Sequence, residues 1–460
     1  VNPTAQLLQP EIQELISERR YAELRQALHS VPLVDLAELL GALEPGDAAV
    51  AFRFLSRDEA ADVFSFLDPE KQETLIEQLG AQAERIFEAM DPDDRVALID
   101  ELPAQVARRL LNALSPENRR RTQLVLGYPA ESVGRLMTPD YVSLRPEQSV
   151  AQALEHIRRY GRDAETVHWL YVVDDDGHLV DDIHIRKVLL AHPDADVRSL
   201  MDDRFIAAVA TEDQEEAVLL MARYDRTALP VVDSRGMLVG IVTADDIADV
   251  AEEEATEDIQ KLAGVDALER PYMQTGYLDM LKSRIPTLCV LFVLELATIG
   301  VMRFFDAQID KALILALFVP MIISAGGNTG TQAATLLVRT LALRELEPRD
   351  WRRVLGRELL TGLLLGAVLG AMGLITVLTL NGAGVLHTDH VSRVAITIGT
   401  ALVAIVLWAV VIGSMFPLLL SRAGLDPAAI SSPLVATLMD VSGVLIYFTV
   451  AMLLLRGTLL

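Results

Sequence analysis

Apolar residues recur three and four positions apart through the first quarter of the chain, as in Val63, Phe64 and Leu67 or Leu75, Ile76 and Leu79. That is the spacing of helices that bury one face. Four tripeptides punctuate the pattern at intervals of 24, 23 and 24 residues: Leu43-Glu44-Pro45, Leu67-Asp68-Pro69, Met90-Asp91-Pro92 and Leu114-Ser115-Pro116. Each predicts a helix start. Asp, Glu or Ser can cap free N–H groups, Pro fits the first helical position, and Glu70, Asp93 and Glu117 suit the positive helix end. Residues 5–126 are therefore expected to form an all-α superhelix of stacked short helices.

Further on, short β-branched runs alternate with helical stretches at 150–160 and 214–224, and the run is duplicated. Tyr171-Val172-Val173-Asp174 and Pro230-Val231-Val232-Asp233 lie 59 residues apart, and each precedes a Gly-containing turn and a second apolar run. An acidic segment, Glu252-Glu253-Glu254-Ala255-Thr256-Glu257-Asp258, then leads into Ile259 and Leu262 and reads as a linking helix.

Five apolar stretches near the ~20 residues needed to cross a bilayer close the chain: 285–305, 312–341, 359–380, 394–420 and 432–455. An odd number puts the two ends on opposite sides. Arg344, Arg349, Arg352, Arg353 and Arg357 sit between spans two and three, whereas 381–392 holds no Lys or Arg. The positive-inside rule makes the Arg-rich loop cytoplasmic, with residues 1–282 inside and Leu460 outside a multi-pass inner (cytoplasmic) membrane protein.

Charge sharpens this division. Residues 1–282 hold 28 Lys and Arg against 55 Asp and Glu, while residues 283–460 hold 12 against 10. So acidic a face repels nucleic acid and suits divalent cations. The only cysteine, Cys289, lies in an apolar segment, which excludes disulfides within one chain and Cys-based zinc sites. Val1 to Glu18 is a mixed amphipathic stretch without the layout of a signal peptide.

Candidate chemistry concentrates in the spans. Asp440 lies mid-way along span five, where a carboxylate costs ~2.5–3.5 kcal/mol on insertion scales and rarely faces lipid. Small residues Ala436 and Gly443 flank it at helical spacing and let another helix approach. Span two carries Pro320 and then Gly326-Gly327-Asn328-Thr329-Gly330-Thr331-Gln332. A polar, Gly-rich run at that depth predicts a helix break lining a path. It is not a phosphate loop, because no Lys-Ser or Lys-Thr follows the glycines. Glu295 in span one has no cation one turn away and either carries a proton or faces the bundle. His387 and His390 form a pair without an evident third ligand, as expected of a solvated loop. No Gly-x-Ser-x-Gly elbow or His-Glu-x-x-His motif occurs, so the chain reads as a non-enzyme.

The duplicated strand pattern resembles a pair of cystathionine-β-synthase-type (CBS) modules over about residues 136–250, best in Gly240-Ile241-Val242-Thr243-Ala244-Asp245-Asp246-Ile247. Such pairs often hold an adenine nucleotide, with a Thr or Ser and an Asp three residues later near the ribose. Thr243 and Asp246 have that spacing, which implies ATP as a ligand. The first copy departs, reading Asp181-Asp182-Ile183-His184-Ile185-Arg186-Lys187, with Lys187 where an Asp is expected.

Taken along its whole length, the chain resembles the MgtE family of magnesium channels or transporters. The carrying strings are Gly326-Gly327-Asn328-Thr329-Gly330 with Gln332, and Pro433-Leu434-Val435-Ala436-Thr437-Leu438 with Asp440. The resemblance implies a multidomain membrane protein. It would comprise a helical-repeat N-domain (1–130), an α/β tandem CBS pair (131–249), a linking plug helix (250–282) and a five-helix transmembrane pore domain (283–460). It also implies a homodimer in membrane lipid, its pore at the dimer axis, where Asp440 from each subunit meets hydrated Mg²⁺. Ser432 stands where the family string often has Asn. Mg²⁺ is octahedral, reluctant to dehydrate and usually held by one or two carboxylates plus waters, which two copies of Asp440 supply. Carbonyls beside Ala436 and Gly443, with Asn328, are expected to bond the retained waters. This chemistry leaves Mn²⁺, Co²⁺ and Ca²⁺ open beside Mg²⁺.

The same resemblance places regulatory carboxylates at Asp62 and Asp93 in the N-domain, and at Asp213, Glu215, Asp225, Asp246 and Asp249 in the CBS pair. It adds Glu254, Glu257 and Asp258 on the linking helix and Asp426 on the membrane domain. Ala97 replaces one family carboxylate, which implies weaker coupling of the N-domain. Bare acidic faces repel, and bound Mg²⁺ bridges them, so rising internal Mg²⁺ is expected to close the channel. The rival reading is a nucleotide-sensing membrane receptor without transport, which would not require the polar content of spans two and five.

Overall fold

The computed structural model describes residues 3–268, 272–273, 275–306, 309, 313–386, 388–429, 432–456 and 459. It divides into two compact units, Val1–Ala251 and Glu252–Leu460.

In the first unit, ten helices run from Pro3 to Leu126, and four of them begin at Pro45, Pro69, Pro92 and Pro116, the positions that the tripeptides mark. Proline lacks the N–H that a first turn leaves unpaired, so it stops one helix and starts the next. The capping differs from expectation. Ser115 accepts from the Asn118 N–H, but the carboxylates of Glu44, Asp68 and Asp91 make no cap bond. Asp68 instead pairs with Lys71 at 3.1 Å. The stack buries Leu24, Leu28, Phe52, Phe64, Phe87 and Leu110, with Phe52 edge-on to Phe64 at 6.2 Å. Each such side chain contributes about 1.5–3 kcal/mol on burial.

Two three-stranded sheets follow, each with a parallel and an antiparallel pairing. The first holds β1 (Ser143–Leu144), β2 (Trp169–Val173) and β3 (Leu179–His184). The second holds β4 (Ala208–Val209), β5 (Ala228–Val232) and β6 (Leu238–Thr243). The hairpin turns need Gly177 at φ +91 and Gly236 at φ +82, values that disfavour a side chain. Across the pseudo-twofold, Leu179 N donates to Gly236 O and Leu238 N to Gly177 O, both at 3.1 Å. Tyr171, Val173, Leu179, Val232, Leu238 and Ile241 form the shared core of the pair. Arg135, reaching Asp100 at 2.7 Å, and Arg121, reaching Asp140 at 2.9 Å, tie the helical stack to this pair.

The linking helix is not separate. Ala244–Leu262 is one continuous helix, so the expected boundary at 250 falls within it. The stretch contains no Gly or Pro that would end it, and Gly264 at φ +76 follows its end.

The second unit contains, among the described residues, five helices long and apolar enough to cross a membrane: Tyr277–Phe304, Leu313–Ala342, Pro348–Gly382, Val391–Arg422 and Ser432–Leu455, here spans one to five. Span four is the central element and packs on spans two, three and five. Small residues permit this closeness. A Cβ placed on Gly370 would sit 2.8 Å from the Gly399 carbonyl oxygen, and one on Gly330 would sit 3.0 Å from Val435.

The helix break predicted at the Gly-rich run of span two does not occur. Val319–Ala342 is unbroken through Gly326 to Gln332, and Pro320 lies in its first turn, where proline is tolerated. Thr329 Oγ1 donates back to Ala325 O at 2.8 Å, and the glycines lie against Ile405, Val435 and Met439. They serve helix contact instead of a broken backbone. The discontinuity of this span lies earlier, between helices Leu313–Ala316 and Val319–Ala342.

Candidate functional site

Asp440 is half-buried on span five, one turn from the half-buried Ala436. Span two comes alongside, since a Cβ on Gly327 would sit 3.7 Å from Ala436 Cα. The next residue, Asn328, is exposed, and its Nδ2 donates to Ser324 Oγ at 3.4 Å. Ala436 thus lies at the seam of spans two and five, with Asn328 next in sequence to the contact and Asp440 one turn along span five. Gly443 turns elsewhere: it is buried and faces Ile405 of span four. Because span five is unbroken, its carbonyls accept helical bonds and offer water only a second lone pair.

Sequence reading missed the partner of Asp440. The Glu295 carboxyl of span one is hydrogen-bonded to the Asp440 carboxyl, and span one packs on span five. Nothing in the local pattern announces this, because the two acids are 145 positions apart.

A second concentration of acid lies in the first unit, where Asp91, Asp93 and Asp94 face Glu165, Asp245 and Asp246 electrostatically. Asp93 Oδ1 is enclosed and accepts no hydrogen bond. Burial, then neighbouring carboxylates, pushes Asp93 well above the usual range, Asp94 to about 6 and Glu165 to about 7. Burial likewise raises Asp246 to about 7 against the Thr243 hydroxyl, which donates to it at 2.8 Å. Mutual repulsion in this arrangement disfavours the fully ionised form. Ala97 lies exposed on the helix of Asp93 and Asp94. Asp62 is raised by burial and then by Asp91. The string Asp91-Pro92-Asp93-Asp94 could have signalled the cluster, but its acids read equally well as helix-start residues.

The second unit holds its own group. Lys261 Nζ lies 2.7 Å from Glu257 and 3.0 Å from Asp426, and burial and then Asp426 raise Asp258. Glu254 is half-buried on the same helix.

The remaining predicted carboxylates are spread out. Asp213 is exposed and caps helix Gln214–Tyr224 by accepting from the Glu215 N–H at 2.9 Å. Asp225 ends that helix at φ +49, and Asp249 is exposed on the linking helix. Glu215 is half-buried. Asp174, Asp176 and His178 bring ligand atoms together, but Asp174 Oδ1 already accepts from the N–H groups of Asp176 and His178 in a hairpin turn. Of the expected histidine pair, His387 lies outside the described residues.

Thr243 and Asp246, proposed for nucleotide, thus stand within an acidic group. A cavity of about 260 Å³ lies instead around Trp169, His184, Lys187, Asp202, Arg204 and Arg226. Arg226 covers the Trp169 ring at 3.8 Å and pairs with the buried Asp182 at 3.1 Å. Both Asp182 oxygens face the same guanidinium nitrogen, Oδ2 at 3.1 Å and Oδ1 accepting from it at 3.2 Å.

Comparison with known proteins decides the family. The chain is 38% identical over 453 residues to the magnesium transporter MgtE of Thermus thermophilus, covering 97% of this chain and 98% of that one. The chain belongs to the MgtE family. It is 33% identical to MgtE of Enterococcus faecalis over 96% of each chain. The MgtE divalent cation transporter model matches residues 319–450, the MgtE intracellular N domain 31–131, and the CBS domain 133–194 and 197–253. The crystal structure of the cytosolic domain of the Mg²⁺ channel MgtE in complex with ATP is 34% identical. It aligns with 53% of this chain and all of that one at a TM-score of 0.51. The soluble part of a magnesium transporter, 27% identical, aligns at 0.52 over 55% of this chain and 99% of that one. This MgtE-family chain is a multidomain membrane protein, and the five apolar helices are its spans.

Proposed function

We propose that the chain conducts Mg²⁺ across the cytoplasmic membrane as a homodimer and closes as internal Mg²⁺ rises. The observation that carries this is an acid at mid-depth in span five, at a seam with a polar run of span two, in a chain of the MgtE family. Two copies of Asp440 would hold the ion through its waters, with Ala436 carbonyls and Asn328 bonding those waters. The positive-inside rule supports an inner-membrane orientation with residues 1–282 in the cytoplasm and the C-terminus outside. Lipid covers the spans, and conduction, not catalysis, is the activity.

The acids at Asp93, Asp94 and Asp246, and at Glu257, Asp258 and Asp426, would receive regulatory Mg²⁺. Each site adds RT ln(1 + [L]/Kd) to the closed form, so several weak sites together reach the ~5.5 kcal/mol of a full switch.

ATP, held by the similar cytosolic domain, would bind the cavity around Trp169. The residues fit: an indole face for a base, and Lys187, Arg204 and Arg226 for phosphate. Arg226 must leave the ring first.

Mg²⁺ flux into liposomes tests the reading. Asp440→Asn is expected to abolish uptake while the dimer assembles, and unchanged uptake would remove it. A nucleotide response with no flux in the parent protein would favour a sensing receptor.

A further inference from the structure

Glu295 and Asp440 are the only Asp, Glu, Lys, Arg or His side chains in the apolar middles of the five spans, and the fold puts them in contact. Each acid alone in hydrocarbon costs about 2.5–3.5 kcal/mol on insertion scales, and two carboxylates at contact repel. A cross-link between helices needs no such chemistry. Spans four and five achieve one with a neutral pair, Trp408 Nε1 donating to Ser442 Oγ at 3.0 Å. Depth agrees as well: Glu295 lies ten residues beyond 285 and Asp440 eight beyond 432, or about 15 and 12 Å of helix rise. Glu295 remains exposed on its own subunit.

We propose that Glu295 is a second cation-facing carboxylate of the permeation path, which with Asp440 sets the preference for divalent over monovalent cations by accepting hydrogen bonds from the ion's water shell. The inference rests on the reading of Asp440 as the pore acid. In the proposed homodimer four carboxyl groups then face the ion, and each Glu295–Asp440 pair gives up the proton it shares as the ion arrives. A doubly charged ion gains twice the Coulomb energy of a singly charged one from each of them. The apolar surroundings of the site screen that difference less than bulk water would.

The full-length protein in liposomes tests this, with Mg²⁺ and Na⁺ fluxes measured separately and hexaamminecobalt(III), an exchange-inert mimic of hydrated Mg²⁺, as blocker. Glu295→Gln is expected to assemble and conduct, with the Mg²⁺ to Na⁺ ratio and the cobalt block each weakened about tenfold. Glu295→Asp keeps the charge but withdraws it by one methylene and is expected to shift the ratio about threefold. It decides the matter if Glu295→Gln does not assemble. An unchanged ratio in the assembled variants overturns the inference and leaves Glu295 a structural cross-link, as does lowered thermal stability with parental selectivity. Asp440→Asn separates the two readings: normal flux there sinks the pore acid itself, whereas a dead Asp440→Asn beside a parental Glu295→Gln sinks only the role of Glu295.

Discussion

The Lys261 ammonium stands between two acids from distant parts of the second unit, 2.7 Å from Glu257 and 3.0 Å from Asp426. A tethered cation therefore already occupies ground proposed for Mg²⁺. Lys261→Gln frees both carboxylates and adds one negative charge to the group. Half-exposed pairs of this kind are worth up to about 1 kcal/mol, so the Mg²⁺ concentration that closes the channel is expected to fall by up to about fivefold. Flux against internal Mg²⁺ measures it. A rise in that concentration would instead make Lys261 part of the closed form's own contacts.

The acids of the first unit predict a proton count. Burial holds Asp94 at about 6 and Glu165 and Asp246 at about 7, above the ordinary carboxylate range near 4. The folded chain thus keeps protons that the unfolded chain releases between about pH 4 and 7, so these groups make stability fall as pH rises through that window. Mg²⁺ favours the ionised forms. Adding Mg²⁺ to the protein at pH 6.5 is expected to release protons, fewer in Glu165→Gln, in a weakly buffered titration. No release on saturation would separate Mg²⁺ from this cluster.

Nucleotide binding distinguishes the two halves of the CBS pair. Loss of an aromatic platform costs about 1–3 kcal/mol per base, so Trp169→Ala should weaken ATP binding about tenfold or more by calorimetry. Thr243→Ala, at the acidic cluster, should leave it within about twofold. The reverse ranking would move the site to Thr243 and Asp246.

Helix contact between spans two and four gives a structural prediction. A Cβ on Gly413 would strike the Gly330 carbonyl oxygen and lie 3.0 Å from Ala333. Gly413→Ala should cost about 1–3 kcal/mol of overpacking, lowering the melting temperature in detergent. Gly356→Ala, with open space around its Cβ, should not.

Legibility followed the range of the interaction. Pro45, Pro69, Pro92 and Pro116 act within one helical turn, and the structure starts helices there. The paired apolar runs at Tyr171 and Pro230 became β2 and β5, because β-branched runs and turn glycines are local. The Gly-rich run misled for the opposite reason. Gly326 and Gly330 look like a break in isolation, and only the approach of Met439 and Val435 reveals them as contact positions. Glu165 joins Asp246, and Glu295 joins Asp440, across distances that no spacing rule spans.

Span one buries only Ser283 along its length and packs on span five. During synthesis its glutamate must wait until 145 further residues have been made before meeting its counterpart. Completion of this pair is thereby timed by span five. A chain cut short before span five leaves an orphan acid in oil, at a cost of about 2.5–3.5 kcal/mol.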